Sequence, residues 1–236
     1  MATVILVRHG RTAANAGGVL AGWTPGVHLD DAGRAQAAAV AARLAVVPLS
    51  AVVTSPLERT RETADHLLAG REPLPPLHID DRIGECRYGD WTNQPLKTLV
   101  KDPLWKVVQS HPSAAVFPGA EGEPLAEMSA RAVAAVRDWN ARLSVAGADP
   151  TYVVVSHADV IKAITADALG MHLDAFQRLS VDPCSVTVIR YTELRPFVLR
   201  TNDTGGDLAG LVPRPKARRR RRGSASDAVV GGGAGT

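Results

Sequence analysis

Thr3-Val4-Ile5-Leu6-Val7 running into Arg8-His9-Gly10 is the stretch on which the fold turns. Five β-branched or aliphatic residues followed abruptly by Arg-His-Gly read as a buried strand ending in a loop. Working outward, Asp30 or Asp31 is placed to cap a helix through about Leu44, and Ala51 to Thr54 is a second short strand. Ser55-Pro56-Leu57-Glu58 then has the form of a helix opening, with Ser55 as cap, Pro56 at the first helical position and Glu58 three residues after the cap. That helix is expected to run to about Leu68.

Farther along, Leu77 to Ile79 is a brief strand and Glu85 to Pro95 a loop. Residues 96 to 122, broken by Pro103, Pro112 and Pro118, read as short helices forming a lid over a pocket. Pro124 opens a long helix to about Leu143, Tyr152 to Ser156 is a strand, and Asp159 caps a helix to Leu169. Ser185 to Tyr191 and Phe197 to Thr201 form a hairpin. Strands alternating with helices specify a three-layer α/β/α domain with a mostly parallel sheet and an antiparallel edge.

The chain has 236 residues, enough for one domain with a full core, and few aromatics (4%), so the core rests on Val, Leu, Ile and Ala. Its net charge of +3 is misleading about partners. Residues 213–236 hold seven basic groups (Arg214, Lys216 and Arg218 to Arg222) against Asp227, and without them 20 basic residues face 23 acidic ones. We therefore expect residues 1–212 to be the folded domain and 213–236 a basic, Gly-rich tail outside it. The arginine run is read as a solvated tail in preference to a contact for nucleic acid or an acidic partner. Two cysteines, the absence of a secretory signal and the absence of any span-length apolar run make the cytoplasm, not a membrane, the expected location. A homodimer stays open, with no patch that specifies one.

In an open α/β sheet the site lies beyond the carboxyl ends of the strands. Two strands end in histidine, at Arg8-His9-Gly10 and at Ser156-His157, and if they are neighbours the imidazoles meet. Arg59, one turn inside its helix, reaches the same crevice. Two guanidiniums, two imidazoles and helix N-termini suit a phosphate, whereas arginines beside histidines without metal-ligand spacing do not suit a cation. Cys184 to Arg190 has the C-x5-R spacing of cysteine phosphatases, but the intervening residues alternate like a strand and lack the glycines of a phosphate loop.

Leu6-Val7-Arg8-His9-Gly10-Arg11-Thr12, with Asn15 following, resembles the R-H-G-x-T-x-x-N signature of the histidine phosphatase superfamily, in its phosphoglycerate-mutase-like branch. The resemblance continues through Gly22-Trp23, Leu29 to Gly33, Ser55 to Thr60, Glu85 with Tyr88 to Trp91, and Ser156-His157, spanning roughly residues 3 to 201. It implies that His9 attacks phosphorus to give a phosphohistidine, that Arg8, Arg59 and His157 hold the non-bridging oxygens with help from Asn15, and that Glu85 is the general acid and base. Asp81 and Asp90 are alternatives for the acid. Thr12, Gly22 and Ala158 are candidates for the substrate pocket, Ala158 standing where the family commonly has glycine.

The resemblance implies no metal and no cofactor. It leaves a hydrolase acting on a small phosphorylated metabolite, a mutase, or a phospho-ligand-binding or scaffold protein using the basic tail. Cys86 stands where the mutases have arginine, and Lys97, Lys101 and Lys106 occupy the segment where they carry an adjacent arginine pair. Hydrolysis is therefore the favoured reading.

Overall fold

A computed structural model of the chain describes residues 1–144, 149–205 and 230–233. The elements follow in the order β1 (Ala2–Arg8), α1 (Ala13–Gly17), α2 (Asp31–Leu44), β2 (Ala51–Thr54), α3 (Glu58–Leu68), β3 (Leu77–Ile79), α4 (Leu96–Leu99), α5 (Pro103–Ser110), α6 (Leu125–Leu143), β4 (Thr151–Ser156), α7 (Ala158–Ala168), β5 (Val186–Tyr191) and β6 (Pro196–Asp203). The strands form one sheet in the order β3-β2-β4-β1-β5-β6. The first four are mutually parallel, while β5 and β6 run antiparallel and form the expected hairpin at one edge.

Alternate residues of the central strands serve two cores, because successive side chains of a strand point to opposite faces. Ile5, Val7, Val52, Val153 and Val155 pack with Ala37 and Val40 of α2 and Leu67 of α3. On the other face, Val4, Leu6, Val53, Tyr152 and Val154 pack with Met128 and Val136 of α6 and Ile161 and Ile164 of α7. This is the expected three-layer α/β/α arrangement. Truncating a fully enclosed side chain such as Leu67 to alanine would cost about 2–5 kcal/mol.

The 96–122 segment is packed cover rather than loose chain. Leu99, Trp105, Val108 and Phe117 join the second core, and Phe117 meets Tyr88 edge-on at 5.0 Å and Trp91 at 5.4 Å.

Two helix starts differ from expectation. Asp30 caps α2 by accepting from Gly33 N at 2.7 Å, as expected, but α3 begins at Glu58 with no side-chain cap, and α7 follows His157 rather than Asp159. Ser55 and Asp159 are both drawn into buried contacts of the site, so neither caps a helix.

Four residues depart from the reading of 213–236 as a tail outside the domain. Val230 is buried in the second core and Gly231 to Gly233 lie against Arg8. The arginine run 218–222 lies outside the described residues.

Candidate active site

Parallel pairing of β1 with β4 sets Arg8 opposite Ser156, so the residue following each strand is a histidine on the same edge. The link continues past the strands, with His9 N donating to Ser156 O at 3.0 Å. The two imidazole centroids are 5.2 Å apart. The loop carrying His9 is pinned from below, since Gly10 and Gly33 bring its backbone against the start of α2. A Cβ on Gly10 would lie 2.5 Å from Gly33 O, and one on Gly33 would lie 2.0 Å from Arg11 O. Only glycine fits both places.

The hydrogen bonds fix the tautomers. His9 Nδ1 lies 2.8 Å from Gly10 O; a carbonyl only accepts, so Nδ1 carries the proton and Nε2 keeps its lone pair. His157 Nδ1 faces Arg59 Nη2 at 3.3 Å, and a guanidinium only donates, so His157 holds its proton on Nε2 and gives it to Ser55 Oγ at 2.8 Å. Burial, with Arg59 and Arg8 adding repulsion, holds His9 well below the ordinary imidazole range. The same burial, with Arg59 next, does so for His157. Both rings are neutral at pH 7, as a nucleophile requires. Desolvation is the larger cause for both rings, ahead of the arginines.

Arg8 and Arg59 are buried. Arg8 Nη1 donates to Val181 O at 2.8 Å, and Arg59 Nη2 to Gly22 O at 2.8 Å. Burial lowers the Arg8 pKa to about 10, still charged at pH 7. Arg8 Nε and Arg59 Nη1 have no hydrogen-bond partner among the described residues. Such buried donors are costly when left unmade.

Glu85 is buried, its Oε1 accepting from Cys86 N at 2.9 Å and its Oε2 lying 3.9 Å from His157 Nδ1. Burial, reinforced by the nearby Asp159 carboxylate, raises its pKa to about 7 against the pull of Arg59 and Arg8. The alternatives Asp81 and Asp90 are exposed.

His9, Thr12, Asn15, Gly22, Arg59 and Glu85 line one pocket. Asn15 contributes through the wall, since its Oδ1 accepts from Thr12 N and Oγ1 at 3.1 and 3.0 Å in a capping box. Ala158 is fully buried beside Arg8. Among the described residues no three His, Cys, Asp or Glu side chains are grouped as metal ligands. Cys184 is buried with its thiol pushed up to about 12, which removes it as a thiolate nucleophile.

Two contributors escaped the sequence reading. Ser55 orients His157, and Asp159 accepts from Tyr88 Oη at 3.0 Å and from buried Lys162 at 3.4 Å. Both have the look of helix caps in sequence, and only tertiary packing redirects them.

The chain is similar to known proteins over most of its length. A glucosyl-3-phosphoglycerate phosphatase of Mycolicibacterium vanbaalenii is 32% identical over 179 residues, covering 72% of this chain and 76% of that protein. Phosphoserine phosphatase 1 of Hydrogenobacter thermophilus is 30% identical over 217 residues, covering 86% and 93%. The solved structure of Bacillus stearothermophilus YhfR superposes with a TM-score of 0.76 at 28% identity, covering 86% of this chain and 98% of that one. The model of the histidine phosphatase superfamily (branch 1) matches residues 4–204, and with its two histidines, two buried arginines and raised glutamate the chain belongs to that superfamily.

Proposed function

We propose that the protein is a metal-independent phosphomonoesterase that works through a phosphohistidine on His9. The observation that carries this reading is the pair of buried guanidiniums, Arg8 and Arg59, each with an N–H that has no partner among the described residues, beside a neutral His9. A phosphoryl group supplies the acceptors those donors lack, with charge-assisted bonds.

In the first step His9 Nε2 bonds to phosphorus in line while the ester P–O bond breaks, and Glu85, protonated near its pKa of about 7, gives its proton to the departing alkoxide. Arg8 and Arg59 bear the charge on the non-bridging oxygens, joined by His157 once its proton moves to Nδ1 and its Nε2 accepts from Ser55 Oγ–H instead. In the second step water bonds to phosphorus, the P–N bond breaks, and the Glu85 carboxylate takes the water's proton.

The favoured substrate is a small phosphorylated metabolite, in keeping with the relatives' phosphatase names. Mutase chemistry is disfavoured because Lys97, Lys101, Lys106 and Arg87 are not among the residues that line the pocket of His9 and Glu85. Lys97, Lys101 and Lys106 are exposed, and Arg87 stacks 4.1 Å over Trp23. A cytoplasmic setting fits two buried, unpaired cysteines.

The test is turnover of an aryl phosphate in chelator by wild type and His9→Ala, with 3-phosphoglycerate alongside. We expect chelator-resistant hydrolysis, lost in the variant, and inorganic phosphate rather than an isomerised ester from 3-phosphoglycerate. Full activity in His9→Ala would refute the assignment.

A further inference from the structure

The glycine-rich segment 230–233 sits where the phosphate is expected. Gly233 O accepts from Arg8 Nη1 at 2.7 Å, and Gly231 O and Gly232 O lie 3.5 and 3.4 Å from Nη2. On the opposite side Gly231 N donates to Asp159 Oδ2 at 2.9 Å. Val230, 1% exposed, anchors the segment in the core that holds Leu20 and Tyr88. The segment lines the same pocket as His9, Arg59 and Glu85, so it takes up space on the side where a phosphoryl group would meet Arg8.

Its glycines are required by the fit. Gly231 and Gly232 have φ of +72° and +71°, where a side chain is strained. A Cβ on Gly231 would also lie 2.9 Å from Leu20 Cδ1, and one on Gly232 would lie 2.4 Å from the Ala158 methyl and 2.9 Å from Arg8 Nη1. A run that reads in sequence as low complexity therefore has a shape matched to this pocket.

We propose that Val230–Gly233 is a built-in competitor of substrate, occupying the Arg8 side of the pocket and leaving when a phosphomonoester binds. The proposal rests on reading that pocket as a phosphate site. Three neutral carbonyls are weaker partners for a guanidinium than phosphoryl oxygens, which carry the opposite charge and can pair with it bidentately. Attachment to the same chain offsets this, because the contact is intramolecular and is not lost on dilution. A competitor of this kind multiplies apparent affinity by the fraction of open molecules.

The experiment compares the full-length chain with G231V/G232V and, separately, Val230→Asp, all three positions lying outside the catalytic set. Hydrogen exchange of the Gly231 amide reports the contact directly, titration with inorganic phosphate reports the pocket, and turnover of an aryl phosphate reports kinetics. We expect Gly231 to be protected in wild type and unprotected in both variants. Phosphate affinity should rise by at least about three-fold, with KM lowered by the same factor and kcat unchanged, as for an occupant present in two-thirds of molecules. An unprotected Gly231 amide in wild type would overturn the proposal, as would unchanged or weaker phosphate binding in the variants. Protection without turnover or phosphate binding in any protein would instead refute the phosphatase reading and leave the intramolecular contact standing as a contact only, which also overturns competition.

Discussion

Glu85 Oε2 stands 3.9 Å from Nδ1 of His157, so the group that holds a proton near neutrality faces the ring nitrogen that holds none. The two groups assigned as acid and as phosphate ligand are thus neighbours, and changes in one are felt by the other.

The first prediction concerns Glu85→Gln. Loss of the general acid should lower kcat/KM by about 10²–10⁴ for an alkyl phosphate and much less for an aryl phosphate with a good leaving group. In wild type, kcat/KM for the alkyl ester should decline above about pH 7, where Glu85 loses its proton, and the variant should lack that basic limb. Equal losses on both esters would show that Glu85 does not protonate the leaving group.

The same substitution should act on stability with a defined sign. Folded Glu85 keeps its proton to about pH 7, while the unfolded chain releases it near 4.5. Its contribution is therefore full below pH 4.5 and lost as pH rises to about 7, on the order of 3 kcal/mol. Glutamine retains an acceptor for Cys86 N and cannot ionise. Denaturant unfolding at pH 5 and pH 8 should show wild type losing more stability than Glu85→Gln over that interval, and parallel losses would contradict the raised pKa.

Ser55→Ala removes the acceptor for His157 Nε2–H inside the core. An unpaired buried donor costs about 1–3 kcal/mol, and misorienting a phosphate-binding ring should reduce kcat/KM by roughly 10- to 100-fold. Because Ser55 acts through His157, affinity for inorganic phosphate should weaken while the sensitivity to leaving group stays as in wild type. A loss confined to thermal stability would assign Ser55 a structural role alone.

Asp159→Asn tests the charge that reinforces burial in raising Glu85. Removing it should move the basic limb of the pH profile to lower pH and leave the limb set by His9 in place. Buried Lys162 keeps the Gln177 side chain at 2.9 Å as a partner, which favours retention of the fold. An unmoved basic limb would mean that Asp159 does not reach Glu85 electrostatically.

Much of this was legible in the chain because it depends on local patterns. The uninterrupted Val-Ile-Leu run of β1, the helix ending at Leu68 and the strand-end histidines each carry a short-range signal. The meeting of His9 and His157 needed one further fact, that β1 and β4 are adjacent, which the register supplies. What was not legible belongs to contacts between distant residues. Ser55 has the spacing of a cap, yet its hydroxyl is held by an imidazole 102 positions away. Val230–Gly233 has the composition of a tail, and only the close approach of Leu20, Ala158 and Arg8 shows what those glycines fit.

The register between β1 and β4 also governs when the protein becomes competent. These strands are central in the sheet, yet more than a hundred residues of chain separate them. Pairings so distant in sequence form late and slowly, because loop closure must be met before the contact repays it. A chain emerging during synthesis therefore carries His9 long before Thr151–Ser156, and His157 after it, can complete the site. Activity in this molecule is a readout of completed folding.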